Sequence, residues 1–429
     1  MYFRNLVVGV NTLVPLKNGK LTRYINFDNA ATTPPFINVM NAINSFAPWY
    51  SSIHRGTGYK SVFSTEIYES SREKVLNFVG ADSKLDTVIY VRNTTEAINK
   101  LSNRLCKDNK CVVLSTFMEH HSNDLPWRGK FKVDYIETDD CGRLLLDDLE
   151  GKLKKYDGKV KLVAVTGASN VTGYINPYYE IAKLAHKYGA FILVDGAQLI
   201  PHRKFDMKSH SDDEHIDFIA FSGHKMYAPF GVGALIGPKR IFEKGEPDLK
   251  GGGTVKVVSH DFVIWEDPPS KEEAGTPNLM GVVALIAAIE TLQNIGMDKI
   301  DEYERILLKY ANHILSQFND VELYCPNISN KVAIIPFNIK GIYHGKVAEI
   351  LSDYFAIAVR SGCFCAQPYI QRLLRIDKEK ILKIAKNPDS KRPGMVRLSF
   401  GLYNTCDEID ILARAIRFII ANKSYFLSN

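Results

Sequence analysis

The sequence lacks any apolar run long enough to cross a membrane. A transmembrane helix needs about 20 consecutive apolar residues, and no run in the 429 residues approaches that length. The N-terminal stretch is interrupted by Asn11 and has no small-residue cleavage site, which argues against a signal peptide. We therefore expect a cytoplasmic protein that has no membrane partner.

Cysteines are few and irregularly spaced. The chain has seven, an odd number without the spacing of a disulfide framework, and this pattern suits a reducing compartment. Cys363 and Cys365 are the exception, since one residue separates them. A single C-x-C pair does not match the usual spacing of zinc ligands, so we expect no metal site.

Two other signatures are missing. No G-x-G-x-x-G follows the first predicted strand, which argues against a nicotinamide dinucleotide enzyme. The net charge of +6 is spread along the chain, so we expect no nucleic-acid partner. The densest basic stretch, residues 372–392, also carries acidic residues and has apolar residues at helical spacing, which indicates a solvated helix face.

Short β-branched runs alternate with amphipathic segments from about residue 87. This alternation predicts an α/β fold with a mostly parallel sheet that is covered on both faces. A helical run at 281–295 leads into a second, smaller α/β pattern with strands at 333–337 and 357–359. We expect a large domain at 23–289 and a small domain at 290–429, with residues 1–22 packing on the latter. The predicted strands of the large domain are 87–91, 111–115, 133–137, 162–166, 191–195 and 217–221.

Polar residues follow five of these strands. Ligands of parallel sheets bind beyond the carboxyl ends of the strands, so these residues are expected to converge on one site. They are Asn93 to Glu96, Met118 to His121, Ser169 and Asn170, Asp195 to Gln198, and Ser222 to Lys225.

Pyridoxal phosphate (PLP) chemistry requires a lysine for a Schiff base and an acid that faces the pyridine nitrogen. Lys225 follows a strand, and Asp195 ends a strand that is otherwise apolar, where its burial calls for an opposing cation. Both residues also have ordinary interpretations. A lysine after a strand is usually an exposed surface residue, and an aspartate there often caps the next helix.

The cofactor phosphate also has candidate donors. Thr94 and Thr95 lie where a strand passes into a helix, so hydroxyls and backbone amides would meet an anion at the helix N-terminus. A capping box would explain the same residues. Ser222, His224 and the Gly275-Thr276 loop supply further donors and favour the phosphate interpretation.

Eight short motifs resemble those of class V aminotransferase-fold proteins. The similarity extends over nearly the whole chain in the expected order, and the nearest branch is the group II cysteine desulfurases and selenocysteine lyases. The motifs are Phe27-Asp28-Asn29-Ala30-Ala31-Thr32-Thr33, His54-Arg55-Gly56, Thr94-Thr95-Glu96, Met118-Glu119-His120-His121, Asp195-Gly196-Ala197-Gln198, Ser222-Gly223-His224-Lys225, Ala274-Gly275-Thr276-Pro277-Asn278 and Arg360-Ser361-Gly362-Cys363-Phe364-Cys365-Ala366.

This resemblance implies the PLP-dependent transferase fold type I, with a seven-stranded sheet in the large domain. It implies that Lys225 forms the Schiff base, that Asp195 pairs with the pyridine nitrogen and that Gln198 binds the phenolic oxygen. His120 would stack on the ring and transfer protons. Asn170 would contact both cofactor and substrate.

The resemblance also assigns the residues that bind the cofactor phosphate and the substrate. Arg397 and Arg360, together with Asn170, would bind the substrate. A site completed by a second copy of the chain implies a homodimer. The implied phosphate ligands are Thr94, Thr95, Ser222, His224 and Thr276 of the partner subunit.

Cys365 matches the cysteine that, in desulfurases, takes sulfur from PLP-bound L-cysteine as a persulfide and leaves alanine. Arg360 nearby would favour its thiolate, although a cysteine is more often an inert core residue. The chain departs from the sequence pattern of the group II cysteine desulfurases in two ways. Cys363-Phe364 replaces two histidines and resembles the Gly-Cys-Phe-Cys loop of molybdenum-cofactor sulfurases, and residues 372–392 look like an insertion.

The expected function is that of a PLP-dependent cysteine desulfurase. Another class V reaction, such as a selenocysteine or cysteine-sulfinate lyase, an epimerase or another carbon–sulfur lyase, stays open. A nonenzymatic sulfur-relay protein is disfavoured because the implied site residues are all present. The sulfur acceptor is open between an iron–sulfur assembly scaffold, a thiolation pathway and a small thiol.

Overall fold

A computed structural model describes residues 2–105, 111–387 and 390–428. The strands are β1 (Leu13–Pro15), β2 (Leu21–Arg23), β3 (Ile25–Asn26), β4 (Asp86–Val91), β5 (Val112–Thr116), β6 (Lys132–Ile136), β7 (Val160–Thr166), β8 (Phe191–Asp195), β9 (Phe218–Ser222), β10 (Gly233–Pro238), β11 (Val255–Val258), β12 (Val263–Trp265), β13 (Val321–Leu323), β14 (Ile334–Ile339), β15 (Ile357–Ala358), β16 (Arg360–Gly362) and β17 (Met395–Ser399).

The helices alternate with these strands and cover them. They are α1 (Ile37–Phe46), α2 (Tyr59–Val79), α3 (Thr94–Leu105), α4 (Leu146–Tyr156), α5 (Tyr178–Lys187), α6 (Lys239–Phe242), α7 (Leu279–Ile295), α8 (Met297–Ser316), α9 (His344–Phe355), α10 (Gln367–Leu373), α11 (Lys378–Lys386), α12 (Cys406–Ala421) and α13 (Lys423–Ser428).

A seven-stranded sheet in the order β4-β10-β9-β8-β7-β5-β6 forms the centre of the molecule. All pairings are parallel except those of β10, which runs antiparallel to both β4 and β9. The six predicted strands of the large domain are present to within two residues, so the mostly parallel α/β sheet is confirmed. Strand β10 was not predicted, because Gly233, Gly237 and Pro238 give a weak strand signal.

Helix α7 is apolar on nearly all sides because it is packed in the core, and ten of its residues are buried, from Leu279 to Leu292. It ends at Gly296, whose positive φ of 92° favours glycine. No single helix in the described ranges is long and apolar enough to cross a bilayer. Helices α7 and α8 pass that test only as a pair, and the pair is bent by 78°.

A four-stranded antiparallel sheet, β13-β14-β17-β16, lies in the C-terminal part of the chain and packs against α8 and α9. The N-terminal segment contacts this part, since Arg4 forms an ion pair with Glu408 of α12 at 2.7 Å, and β3, just after the segment, pairs with β15. The proposed boundary near residue 290 falls inside α7 and stays a prediction.

Two elements project from the packed layers. Every side chain of α11 is exposed or half-buried, which agrees with the solvated helix predicted for residues 372–392, of which 388 and 389 lie outside the described residues. The β11–β12 hairpin was not predicted. Its exposed apolar side chains are Val257, Val258, Phe262, Val263 and Ile264.

Candidate active site

A cavity of about 740 Å³ opens at the carboxyl ends of the parallel strands. Its size lies within the usual range for small-molecule sites. All five polar strand ends contribute to it, as the sheet topology predicts. The predicted site residues in its wall are Thr94, Thr95, His120, Asn170, Asp195, Gln198, Ser222, His224, Lys225, Arg360, Cys365 and Arg397.

Thr276 is the one predicted site residue that does not line this cavity. It is exposed, in the loop that precedes α7. Its predicted role was on the partner subunit, and the described chain is a single copy, so that role stays a prediction.

Lys225 ends a 3₁₀ turn, Gly223–Lys225, directly after β9. Its pKa is lowered to about 8, first by burial and then by the nearby Arg397 cation, although Asp195 and Cys365 act in the opposite direction. A tenth of such an amine is neutral at roughly pH 7, which is far more than for an ordinary lysine. Lys225 is therefore prepared to react as a nucleophile.

Asp195 ends β8 and is only 4% exposed. Its Oδ1 accepts the Ala197 backbone N–H at 3.0 Å. Burial raises its pKa, while the Ala197 N–H and the Lys225 cation lower it. A carboxylate in this environment is stabilised by an additional cation or donor, as sequence analysis predicted for this residue. Next to it, Gln198 Nε2 donates to the Ala30 carbonyl at 2.6 Å.

Four hydroxyl groups cluster where α3 begins. The Thr94 amide donates to Ser222 Oγ at 2.8 Å, and the hydroxyls of Thr94 and Ser222 lie 2.7 Å apart. Thr95 Oγ1 and Ser122 Oγ are also 2.7 Å apart. Hydroxyls that meet at the N-terminus of a twelve-residue helix form a favourable site for an anion. His224 completes this wall, with Nδ1 3.3 Å from Thr32 Oγ1.

The His120 ring is held by Ser122. Its Nδ1 accepts the Ser122 backbone N–H at 3.1 Å and lies 3.0 Å from Ser122 Oγ. Burial, with contributions from the nearby Lys225, His121 and Arg397 side chains, lowers the pKa of His120 to about 3. The ring is therefore neutral at neutral pH. Because Nδ1 accepts a hydrogen bond, its proton lies on Nε2.

Arg397 on β17 is buried and forms a charged network with Asp28 and Arg360. Its Nη2 pairs with Asp28 Oδ1 at 2.9 Å, and Arg360 Nε lies 3.2 Å from the other oxygen of Asp28. Nη1 of Arg397 donates to the Asn170 carbonyl at 2.9 Å. Its Nε is buried and has no hydrogen-bond partner among the described residues.

Cys365 lies in a tight turn at the edge of the cavity. The Ala366 N–H donates to the Cys363 carbonyl at 2.9 Å, and both central residues, Phe364 and Cys365, have positive φ (51° and 53°). Such values are unfavourable for residues with a β-carbon. Asn170 Nδ2 holds the Phe364 carbonyl at 2.7 Å.

Two further contacts stabilise this turn. The His121 N–H donates to the Cys365 carbonyl at 2.7 Å. The Arg397 guanidinium lies 5.0 Å from the centre of the buried Phe364 ring, within the range of a cation–π contact. Cys365 itself is exposed towards the cavity. Long-range contacts thus hold the thiol at the site in a strained backbone conformation.

The donor set of the cavity fits PLP. It combines a reactive amine, a buried carboxylate, a neutral imidazole ring and a hydroxyl cluster at a helix N-terminus, which are the groups that this cofactor requires. The buried Asp195 carboxylate is the most specific sign, since a protonated pyridine nitrogen would supply the cation that its burial calls for.

Two residues at the site were named in motifs, but sequence analysis gave them no role. Asp28 links Arg397 to Arg360. Glu119 is buried beside His120, and burial raises its pKa to about 8. Its oxygens accept hydrogen bonds from Thr116, Asn123 and the Thr166 N–H, so it joins the loop after β5 to β7. The sequence signal that could have identified Glu119 is its position immediately before the site residue His120.

Comparisons with known proteins agree with this site. Residues 25–412 match the aminotransferase class-V family. The chain is 37% identical to a probable cysteine desulfurase of Halalkalibacterium halodurans, over 95% of each chain. It is 35% identical to the cysteine desulfurase of Haloferax volcanii, over 92% of this chain and 89% of the relative.

Solved structures show the same similarity. The apo structure of the cysteine desulfurase from Thermococcus onnurineus NA1 superimposes with a TM-score of 0.82 at 33% identity, covering 93% of this chain and 95% of that one. The fold expected from the sequence, PLP-dependent transferase fold type I, is thereby confirmed. The chain therefore belongs to the aminotransferase class V family and, within it, to the cysteine desulfurases.

Proposed function

We propose that the protein removes sulfur from L-cysteine with PLP held by Lys225, and that Cys365 takes the sulfur as a persulfide. The observation that carries this proposal is the placement of a reactive lysine and an exposed cysteine in the wall of one cavity. The alternative class V reactions do not need a thiol at that position.

The cavity residues would hold the cofactor at three points. Asp195 would pair with the pyridine nitrogen, the hydroxyls of Thr94 and Ser222 would bind the phosphate, and His120 would stack on the ring. When bound, PLP supplies an electron sink that allows the substrate α-carbon to lose a proton and weakens the carbon–sulfur bond. His120 presents its Nε2–H to the cavity as a proton donor, because Ser122 occupies its Nδ1.

Arg397 and Asn170 orient the substrate. The Arg397 guanidinium lines the cavity and would be a charge-assisted donor for the substrate carboxylate. Asp28 fixes the guanidinium plane through its contact with Nη2. Arg360 lies on the exposed side of the Asp28 carboxylate and adds positive charge near the cysteine turn.

The sulfur transfer conserves atoms and electrons. The Cys365 thiolate attacks the substrate sulfur, and a new sulfur–sulfur bond forms. The carbon–sulfur bond breaks, its electron pair stays on carbon, and that carbon is protonated to give alanine. Cys365 then carries the sulfur as a persulfide, from which an acceptor protein or small thiol removes it.

A homodimer completes the site in this proposal. Thr276 is exposed, as a residue that reaches a neighbouring subunit must be. The exposed apolar side chains of the β11–β12 hairpin provide a surface that a second copy would cover. We place the protein in the cytoplasm, where its sulfur would supply processes such as iron–sulfur cluster assembly.

The proposal is tested with purified holoprotein and L-cysteine. The expected result is alanine in the amount of the sulfur removed, together with a visible Schiff-base absorption band. A band without alanine would move the function to another class V reaction. Absence of the band after PLP is added would contradict the cofactor assignment.

A further inference from the structure

Cys363, the first residue of the cysteine turn, has no role in the proposed reaction. It lines the same cavity as Cys365 and is half-buried. Its Sγ–H donates to the Pro393 carbonyl at 3.2 Å, and burial raises its pKa although the nearby Arg392 cation acts in the opposite direction. The two thiols are thus held in one turn, the first pointing towards the segment at Pro393 and the second exposed.

The turn also brings the two residues within the range of a disulfide. The Ala366 N–H closes the turn on the Cys363 carbonyl, so Cys363 and Cys365 occupy its first and third positions. Consecutive Cα atoms are about 3.8 Å apart, and residues two apart in a folded turn approach the roughly 4.4–6.8 Å that a disulfide requires.

We propose that Cys363 resolves the persulfide on Cys365, so that the sulfur leaves as hydrogen sulfide and the two cysteines form a disulfide. This inference rests on the proposed function, which loads the sulfur on Cys365. The Cys363 thiol attacks the inner sulfur of the persulfide, a Cys363–Cys365 sulfur–sulfur bond forms, and the outer sulfur leaves with the electron pair. The Cys363 proton goes to the leaving sulfide.

The redox balance is complete. The outer sulfur is reduced to sulfide, and the Cys363 sulfur is oxidised. A dithiol reductant must then reduce the disulfide before the next turnover. The protein would therefore deliver inorganic sulfide and consume one dithiol per L-cysteine.

The positions of the two thiols determine which one takes the sulfur from the substrate and which one resolves the persulfide. Cys365 is exposed to the substrate side of the cavity and takes the sulfur first. Cys363 is half-buried and its Sγ–H is held by the Pro393 carbonyl, so it reaches the substrate sulfur less readily than the exposed Cys365 does. A relay in the other direction, from Cys365 to Cys363, would move the sulfur from an exposed thiol to a half-buried one and away from an acceptor.

The test is a single turnover of the holoprotein without reductant. One equivalent of L-cysteine per subunit is added, the reaction is stopped with an alkylating agent, and alanine, sulfide and the mass of the peptide with residues 363 and 365 are measured. The wild type is expected to give one alanine, one sulfide and a peptide lighter by two hydrogen atoms. The Cys363→Ser protein is expected to give alanine and a peptide heavier by one sulfur atom, without sulfide.

Two further variants keep the result interpretable. Cys363→Ala should behave as Cys363→Ser, and Cys141→Ser, which changes an exposed cysteine outside the cavity, should behave as the wild type. Alanine with a lasting persulfide on the wild-type Cys365, or equal sulfide release from Cys363→Ser, would overturn this inference alone. Absence of alanine from the wild type would overturn the proposed function and this inference with it.

Discussion

The floor of the cavity and the cysteine turn are built on different principles. The floor residues Lys225 and Asp195 follow the ends of neighbouring strands, β9 and β8, and burial shifts their pKa values. The turn places Phe364 and Cys365 in left-handed backbone conformations that contacts from distant segments maintain. Sheet topology therefore positions the cofactor chemistry, whereas long-range contacts position the sulfur acceptor.

A change in the floor should have the largest effect. Lys225→Ala removes the amine that forms the Schiff base, so the visible band should be lost and alanine formation should fall by a factor on the order of 10³ or more. Lys225→Arg keeps the charge without a reactive amine and should show the same loss. A band of normal intensity in either variant would contradict the assignment.

Arg397 connects the floor to the turn, and its removal should have the next largest effect. Arg397→Met deletes a charge-assisted hydrogen bond of about 1.5–3 kcal/mol, so KM for L-cysteine should rise about 10- to 150-fold. Steady-state alanine formation measures this change. Arg397→Lys keeps the charge and should lose less. An unchanged KM in Arg397→Met would show that the substrate carboxylate binds elsewhere.

The pKa of Lys225 predicts how cofactor capture depends on pH. Only the neutral amine reacts, and the pKa of about 8 means that the neutral fraction rises with pH and then levels off above that value. The rate at which the visible band appears, when PLP is added to apoprotein, should follow this curve. Asp195 raises the pKa of Lys225, so Asp195→Asn should move the inflection to lower pH.

A rate that continues to increase far above pH 8 would mean that Lys225 has the pKa of an ordinary lysine. In that case, burial would not shift the pKa of Lys225. The floor and the turn would then no longer differ in the way described above.

Phe364 should show the smallest effect. Phe364→Leu keeps an apolar side chain in the turn but removes the cation–π contact with Arg397. Such contacts contribute about 0.5–2 kcal/mol, so kcat/KM should fall by about 2- to 30-fold. Phe318→Leu removes a similar contact with Arg417, outside the cavity, and serves as the control. Equal effects of the two substitutions would show that the Phe364 contact has no role at the site.

The sequence was sufficient to predict six of the seven strands of the central sheet and the residues of the floor. Apolar runs such as 191–195 coincide with buried strands, and the residues after them converge because parallel strands end at one edge. Strand β10 was missed because it pairs with β4 and β9 through tertiary contacts in spite of its glycines and proline. The β11–β12 hairpin was missed although it carries alternating β-branched residues.

The contacts of the turn could not be predicted from local sequence. The pairing of Asp28 with Arg397 joins residues 369 positions apart. Nothing in the propensity of phenylalanine indicates a φ of 51° at Phe364, because the conformation depends on Asn170, His121 and Arg397. The resemblance to a family therefore identified Cys365, and the structure added how it is held.

The measurement that tests the central claim most directly compares wild-type and Cys365→Ser holoprotein in one experiment. Both should show the same Schiff-base band, since Cys365 does not hold the cofactor. With L-cysteine, the wild type should form alanine and remove an equal amount of sulfur, and Cys365→Ser should form neither at a comparable rate. Alanine formation by Cys365→Ser at the wild-type rate would contradict the persulfide mechanism.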